Sequence, residues 1–342
     1  MKLTVGHGSN RPLYKQITQE IEKAVRSGEL APGARLPSMN ELAASLSISR
    51  ETVKKAYGIL SDRGIIRPRH GMGFFVNAPD DSSAPVSILL LFDKLSIYKQ
   101  VIFNSFAAEI GDRAEMTILN HNQSLDLLNY YLDNNLDDFD YYVITPHFPQ
   151  DEASQAQALR LVSRIPNRKL IMLDRLIPGF SGNFGAVYQD FDNDVYYGLA
   201  EGLDKLRSSS ALKVVTLPES LYGTHIRRGV ERFCKDFSVR VQFFDAVPET
   251  LQKGDTFLLL NSQVDASLVE LSHRISDLGL KVGNDVRIIS YNEFELNEVM
   301  LGGLTTISTD FPEMGKIAAR MILDRNLSKV HCPFRMTRRS TF

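Results

Sequence analysis

Two groups of residues have the types and spacing for chemistry. In the first, Ser49-Arg50-Glu51-Thr52 is followed by Lys54-Lys55. Val53, Ala56, Tyr57 and Leu60 recur at helical spacing, so Arg50, Glu51, Lys54 and Lys55 share the opposite face of one helix. An arginine at the start of such a helix reaches guanine edges in a major groove, and the lysines suit phosphates or bases. Further on, Arg67, Arg69 and His70 stand beside a turn carrying Gly71 and Gly73. The same residues also read as a solvated basic face without a partner. The second group lies where apolar runs end: Leu173-Asp174-Arg175, Val187-x-x-Asp190 and Ile288-Ile289-Ser290-Tyr291-Asn292-Glu293. Open α/β sheets bind ligands at the carboxyl ends of their strands, although acids and amides there also serve turns and caps.

The motifs of common enzyme classes are missing. There is no Gly-x-Ser-x-Gly elbow, Walker-type phosphate loop, His-Glu-x-x-His or Gly-x-Gly-x-x-Gly after a strand. The expectation is no enzyme, no catalytic residue and no cofactor. Cys234 and Cys332 are the only cysteines, which excludes a disulfide framework and a cysteine-based zinc site and suits a reducing cytoplasm. No apolar run approaches the ~20 residues of a membrane span, and the N-terminus has no apolar signal region.

The elements that position these residues follow from local signals. Tyr14, Ile17, Ile21, Ala24 and Val25 form one helical face after Pro12, ended by Gly28 and Pro32-Gly33. Ser38-Met39-Asn40-Glu41 is a capping box that opens a short helix with Leu42, Ala43 and Leu46. Ser49 caps the next. Two short helices with a tight turn, the second basic, match a helix-turn-helix, and Ile65–Val76 reads as strand, turn and strand, a wing. Residues 79–85, with two prolines and no large apolar residue, read as a linker. Beyond it, runs such as Val86–Phe92, Tyr141–Thr145, Lys169–Leu173 and Val286–Ser290 alternate with helical patterns. That indicates parallel sheet covered on both faces. The net charge of −2 over 342 residues hides +6 over residues 1–78 and −8 over the remainder, as two domains with different partners would have.

The first segment resembles the winged-helix domain of GntR-type bacterial transcription regulators. The resemblance rests on Pro12-Leu13-Tyr14-x-Gln16-Ile17, Gly28-x-Leu30-x-Pro32-Gly33-x-x-Leu36-Pro37-Ser38, Ser49-Arg50-x-Thr52-Val53, Ala56-Tyr57-x-x-Leu60 and Gly71-x-Gly73-x-Phe75-Val76. It implies DNA contact by Ser49, Arg50, Glu51, Thr52 and Lys54 and by the wing at His70 and Gly71. Together with Ser38, Asn40, Lys55, Arg67 and Arg69 these form the expected DNA-binding set. One departure is Met39-Asn40, where the family usually carries Glu-Arg. Asn40 retains hydrogen bonding to an adenine edge or a phosphate.

Residues 86–342 resemble the effector-binding domain of LacI-type repressors, which is similar to periplasmic sugar-binding proteins. The segments around Asp174, Gly279–Glu293, Leu304-Thr305-Thr306-Ile307 and Arg339-Ser340-Thr341 carry the likeness. It implies two parallel-sheet α/β lobes joined by three crossovers, the first about 86–189 plus 310–327 and the second about 190–309 plus 328–342. Asp93, Tyr98, His147, Asp174, Asp190, Arg227, Arg228, Asn261 and Asn292 are the residues it nominates for the cleft, with Arg227 preferred over Arg228. Carboxylates, amides and guanidinium groups hold vicinal hydroxyls, and Tyr98 or Phe92 would stack on a sugar ring. Two arginines would also admit a sugar phosphate or sugar acid.

The expected protein is therefore an α+β winged helix-turn-helix domain (1–78), a linker (79–85) and an α/β periplasmic-binding-protein-like domain (86–342). It acts as a cytoplasmic, homodimeric repressor of carbohydrate-utilisation genes that binds double-stranded operator DNA and a monosaccharide or sugar derivative. The alternatives are a ligand-independent dimeric regulator and a regulator of a non-sugar pathway.

Overall fold

Pro12 presets the start of helix α1 (Leu13–Arg26), which buries Ile17, Ile21 and Ala24. The turn after it uses Gly28 at a φ of +78°. Helix α2 (Met39–Leu46) opens on a complete capping box: the Ser38 hydroxyl accepts the Glu41 amide at 3.2 Å, and the Glu41 carboxylate accepts the Ser38 amide at 2.7 Å. Helix α3 (Arg50–Asp62) opens on Ser49, whose hydroxyl accepts the Thr52 amide at 3.2 Å. Its Val53, Ala56, Tyr57 and Leu60 fill the core shared with α1 and α2. The Tyr57 hydroxyl donates to the Pro37 carbonyl at 2.7 Å and ties α3 to the start of α2. Strands β1 (Ile66–Arg69) and β2 (Gly73–Val76) pair antiparallel, Ile66 opposite Val76. Residues 34–36 add a third row that the sequence does not announce. Arg35 pairs with Phe75, and the Leu36 and Val76 amides donate to the Phe74 and Ala34 carbonyls at 2.9 Å.

The computed structural model describes residues 11–69, 72–77, 85–136, 138–216, 220–260 and 266–342. They fall into two units, Met1–Val86 and Ser87–Phe342. Of the expected linker, only Pro85 lies among the described residues. The second unit begins with β3 (Val86–Phe92), α4 (Ile97–Ile110), β4 (Ala114–Asn120), α5 (Leu125–Asn135), β5 (Tyr141–Ile144), α6 (Glu152–Val162), β6 (Leu170–Asp174) and β7 (Gly185–Tyr188). Then come α7 (Phe191–Ala200), α8 (Leu203–Leu206), β8 (Leu212–Val215), α9 (Gly223–Phe237), β9 (Val241–Phe244), β10 (Thr256–Leu259), α10 (Ala266–Asp277), β11 (Arg287–Tyr291) and β12 (Thr305–Thr309). It ends with α11 (Phe311–Leu323), β13 (Lys329–His331) and β14 (Phe334–Thr337).

Among the described residues these strands make two six-stranded sheets, β13-β7-β6-β5-β3-β4 and β14-β12-β11-β10-β8-β9. β6 and β12 are buried along their whole length, as central strands covered on both faces must be. The chain passes between the two lobes after β7, after β12 and after β13. Residues 328–342 were expected in the second lobe, and the first few are not there. Val330 pairs with Val187, and the Ser328 carbonyl accepts the Ala186 amide at 2.8 Å, so β13 extends the edge of the first sheet. Only β14 crosses, pairing antiparallel with β12. Each lobe has one close helix crossing at a glycine. A Cβ on Gly315 of α11 would stand 2.3 Å from the Ile102 carbonyl oxygen of α4, and one on Gly229 of α9 would stand 2.2 Å from the Asp192 carbonyl oxygen of α7. No helix of the described residues is long and apolar enough to cross a membrane.

Candidate functional site

In the first unit, the start of α3 presents Ser49, Arg50, Glu51 and Lys54 to solvent, with Thr52 half-buried. The Ser49 hydroxyl bonds to that of Thr52 at 2.8 Å, and Lys54 lies 3.6 Å from Glu51 in an exposed pair. Lys55 is set apart from this group. Its ammonium lies 4.0 Å from the centre of the Tyr14 ring, which holds it against α1. Ser38 is engaged in its cap, and Asn40 is exposed on the first turn of α2. Arg67 and Arg69 are exposed on the wing. His70 and Gly71 lie outside the described residues.

In the second unit a charged network lines the carboxyl ends of β3, β5 and β6. Asp174 ends β6 with a φ of +72°, a left-handed conformation that aspartate tolerates better than most residues. One of its oxygens meets Lys99 and, at 2.8 Å, His147 Nε2; the other accepts from Gln189. Lys99 also lies 3.3 Å from Asp93, which accepts the Thr145 hydroxyl at 2.7 Å. All of these charged groups are buried. Burial opposes the charge on Asp174, but Lys99 and His147 outweigh it and hold the carboxyl well below its usual range. Burial likewise opposes the Lys99 charge, and Asp174 and Asp93 more than offset it, so its pKa is raised.

The network crosses from lobe to lobe at Tyr222 and at Gln189, whose side-chain oxygen accepts the Thr309 hydroxyl at 2.6 Å. The Tyr222 hydroxyl, at the start of α9, lies 2.5 Å from His147 Nδ1. The imidazole therefore bridges Asp174 on its Nε2 side and Tyr222 on its Nδ1 side. The Tyr222 ring stacks on Phe191 at 4.5 Å and within 7° of parallel, and the Arg175 guanidinium covers it at 4.8 Å. Among the buried polar atoms without a protein partner are Arg175 Nη1 in the first lobe and Asn292 Oδ1 in the second. Asn292 follows β11 with a φ of +73°, the counterpart of Asp174.

The structure thus joins Asp93, His147 and Asp174 in one network and leaves Asn292 at the matching strand end of the other lobe. Other expectations need correction. Tyr98 packs its ring on Phe311 at 5.0 Å between α4 and α11, and Phe92 is buried, so neither offers an open face for stacking. Asp190 caps α7 and bonds the Asn193 amide group at 2.6 Å. Arg227 pairs with Glu231 and lies over Phe243 at 4.2 Å, whereas Arg228 pairs with Asp192 at 3.1 Å. The arginine beside the network is Arg175, whose guanidinium covers the Tyr222 ring. Asn261 lies outside the described residues. Sequence reasoning passed over Lys99, Arg175, Gln189 and Tyr222. Lys99 did leave a signal, the only cation in a helix whose first turns also carry Ile97, Val101, Ile102 and Phe106.

Residues 13–76 match the family of bacterial regulatory proteins described as gntR, and residues 248–340 match a periplasmic binding protein-like domain. An HTH-type transcriptional regulator of Mycobacterium tuberculosis is 33% identical over 85 residues, 25% of this chain and 70% of its own. The chain belongs to the GntR family of bacterial transcription regulators. The arabinose metabolism transcriptional repressor of Geobacillus stearothermophilus aligns with nearly the whole of this GntR-family regulator, at 22% identity over 91% of this chain and 90% of that protein. Among solved structures, the trehalose repressor of Escherichia coli (TM-score 0.57, 13% identity, 74% of this chain and 99% of that one) shares the two-lobed fold. So does a dimeric Lac repressor (TM-score 0.57, 16% identity, 75% and 98%). The regulator is a DNA-binding transcription factor, and these relatives are regulators, not enzymes.

Proposed function

We propose that this regulator represses carbohydrate-utilisation genes, and that an uncharged monosaccharide held between the lobes of the second unit controls its operator binding. The observation that carries the reading is the alignment of nearly the whole chain, across both units, with a repressor of arabinose metabolism. The cleft supports a neutral ligand. Asp93 and Asp174 are balanced by Lys99 and Arg175, and Arg227 and Arg228 are engaged elsewhere. A buried anion would therefore enter a site with no uncompensated positive charge. The two unpartnered atoms, a guanidinium N–H and an amide oxygen, suit hydroxyl groups, which accept from one and donate to the other.

The residues that meet operator DNA in this reading are Arg50 with Ser49, Thr52 and Lys54 on α3, Asn40 on α2, and the wing. The protein works as a cytoplasmic homodimer on a two-fold operator. Apolar side chains left in solvent on both lobes favour pairing: Leu95 and Ile118 on the first, Leu296 and Val299 on the second. Sugar shifts the population of lobe arrangements, and a near-complete switch requires roughly 10⁴-fold preference for one of them. A thermal-shift screen of the full chain tests the ligand class, with neutral pentoses and hexoses set against sugar acids and sugar phosphates. A neutral sugar at ~100 times its Kd adds about 2.7 kcal/mol of stability. A response confined to the acids or phosphates would overturn the neutral assignment.

A further inference from the structure

The wing sheet has two unlike faces. Ala34, Leu36, Ile66, Phe74 and Val76 belong to the core of the first unit. The other face carries Arg35, Arg67 and Phe75. Arg67 is the cross-strand partner of Phe75 in β1, and Arg35 is its partner on the opposite side. Directly opposed residues project from the same face of a sheet, so the two arginines flank one phenylalanine in a single row. Arg69, one pleat nearer the turn, also projects there, with its guanidinium 4.7 Å from the centre of the Phe75 ring. Its cross-strand partner is Gly73, which has no side chain. The space that leaves is taken by Arg35, whose Nε lies 3.6 Å from where a Cβ would be.

Phe75 is buried, yet it lies apart from the cluster that Leu36, Ile66 and Val76 join on the other face. All three arginines are exposed, and among the described residues none is paired with a carboxylate. The nearby acid, Glu41, is engaged by Ser38 in the α2 cap. Three like charges gathered on an aromatic ring repel one another, and the arrangement becomes favourable when an anion joins them. A guanidinium stacked on a ring keeps its edge N–H groups directed outward, in the fork geometry that matches phosphate oxygens.

We infer that this outer wing face, with Arg35, Arg67 and Arg69 gathered around Phe75, binds the backbone phosphates of duplex DNA. The inference rests on the first unit being the DNA-binding one. It adds Arg35, which lies outside both the recognition helix and the wing hairpin. It also gives this outer face of the wing the task of sequence-independent anchoring.

The test is binding of the full chain to a fluorescein-labelled random-sequence duplex of ~30 base pairs, followed by anisotropy between about 50 and 200 mM salt. Arg35→Ala, Arg67→Ala and Arg69→Ala each lower the slope of log K against log salt by about 0.9, whereas Arg35→Lys retains it. Melting temperatures of the variants check that each remains folded. A slope unchanged in Arg35→Ala, with the wild type still binding, overturns the inference. A wild type that binds no duplex even at low salt overturns the DNA-binding reading beneath it.

Discussion

Arg50 and Lys99 are both cations near the start of a helix, and their surroundings give them opposite uses. Arg50 is exposed beside the Ser49 cap, with its donors free for a partner. Arg50→Ala should weaken operator binding by about 1–3 kcal/mol in a gel shift and leave melting unchanged. Lys99 is buried between two carboxylates. Lys99→Met removes the one cation paired with both Asp93 and Asp174, and should lower unfolding free energy by about 3–5 kcal/mol in urea titrations. The pH dependence follows from the directions of the shifts. Depressed carboxyls stabilise above their unfolded values near 4 and lose that contribution as pH falls below them. A raised lysine stabilises below about 10.4 and loses its contribution as pH rises through its folded value. The network therefore supports the wild type across the neutral range. The Lys99→Met deficit should shrink in acid, where the carboxyls protonate. Asp174 drew notice because it ends an apolar run, and His147 was nominated only through the resemblance to LacI-type effector domains. Tyr222 and Arg175 were not, because a stack between two lobes has no trace in linear spacing.

Capping and close helix crossings make the elements fit. The capping box at Ser38 was readable because its partners are three residues apart. The row at residues 34–36 was not, because three residues without alternation cannot be told from a loop. Gly229→Ala would press a methyl group onto the backbone of α7 and should cost about 1–3 kcal/mol by thermal unfolding. The start of α7 has a second constraint. Asp194, buried there, accepts the Asp190 amide at 2.8 Å and meets His331 of β13 at 2.6 Å, so the pair spans two crossovers. Burial pushes the Asp194 carboxyl up to about 6, against the pull of His331. A raised acid binds its proton more tightly in the folded state, so its contribution is full below about 4 and fades as pH rises through about 6. Asp194→Asn should flatten the stability profile across that interval, and chemical denaturation at stepped pH measures it.

For the whole molecule, the alternation of strands and helices was enough to anticipate parallel sheet covered on both faces, and the resemblance of residues 86–342 to LacI-type effector domains supplied the two lobes and three crossovers. Neither could place β13, a three-residue strand that hydrogen bonds alone assign to the first sheet. That late return has a consequence for how the protein is made. The first unit is complete once residue 77 has left the ribosome. The first lobe must wait for α11 and β13, which are synthesised only after β12, when most of the second lobe is already out. A nascent chain would hold a finished winged helix while both sheets of the second unit were still open, so in the proposed reading DNA affinity precedes ligand control during translation. The same interleaving means that no single cut separates the lobes: a fragment ending before residue 310 lacks part of both sheets.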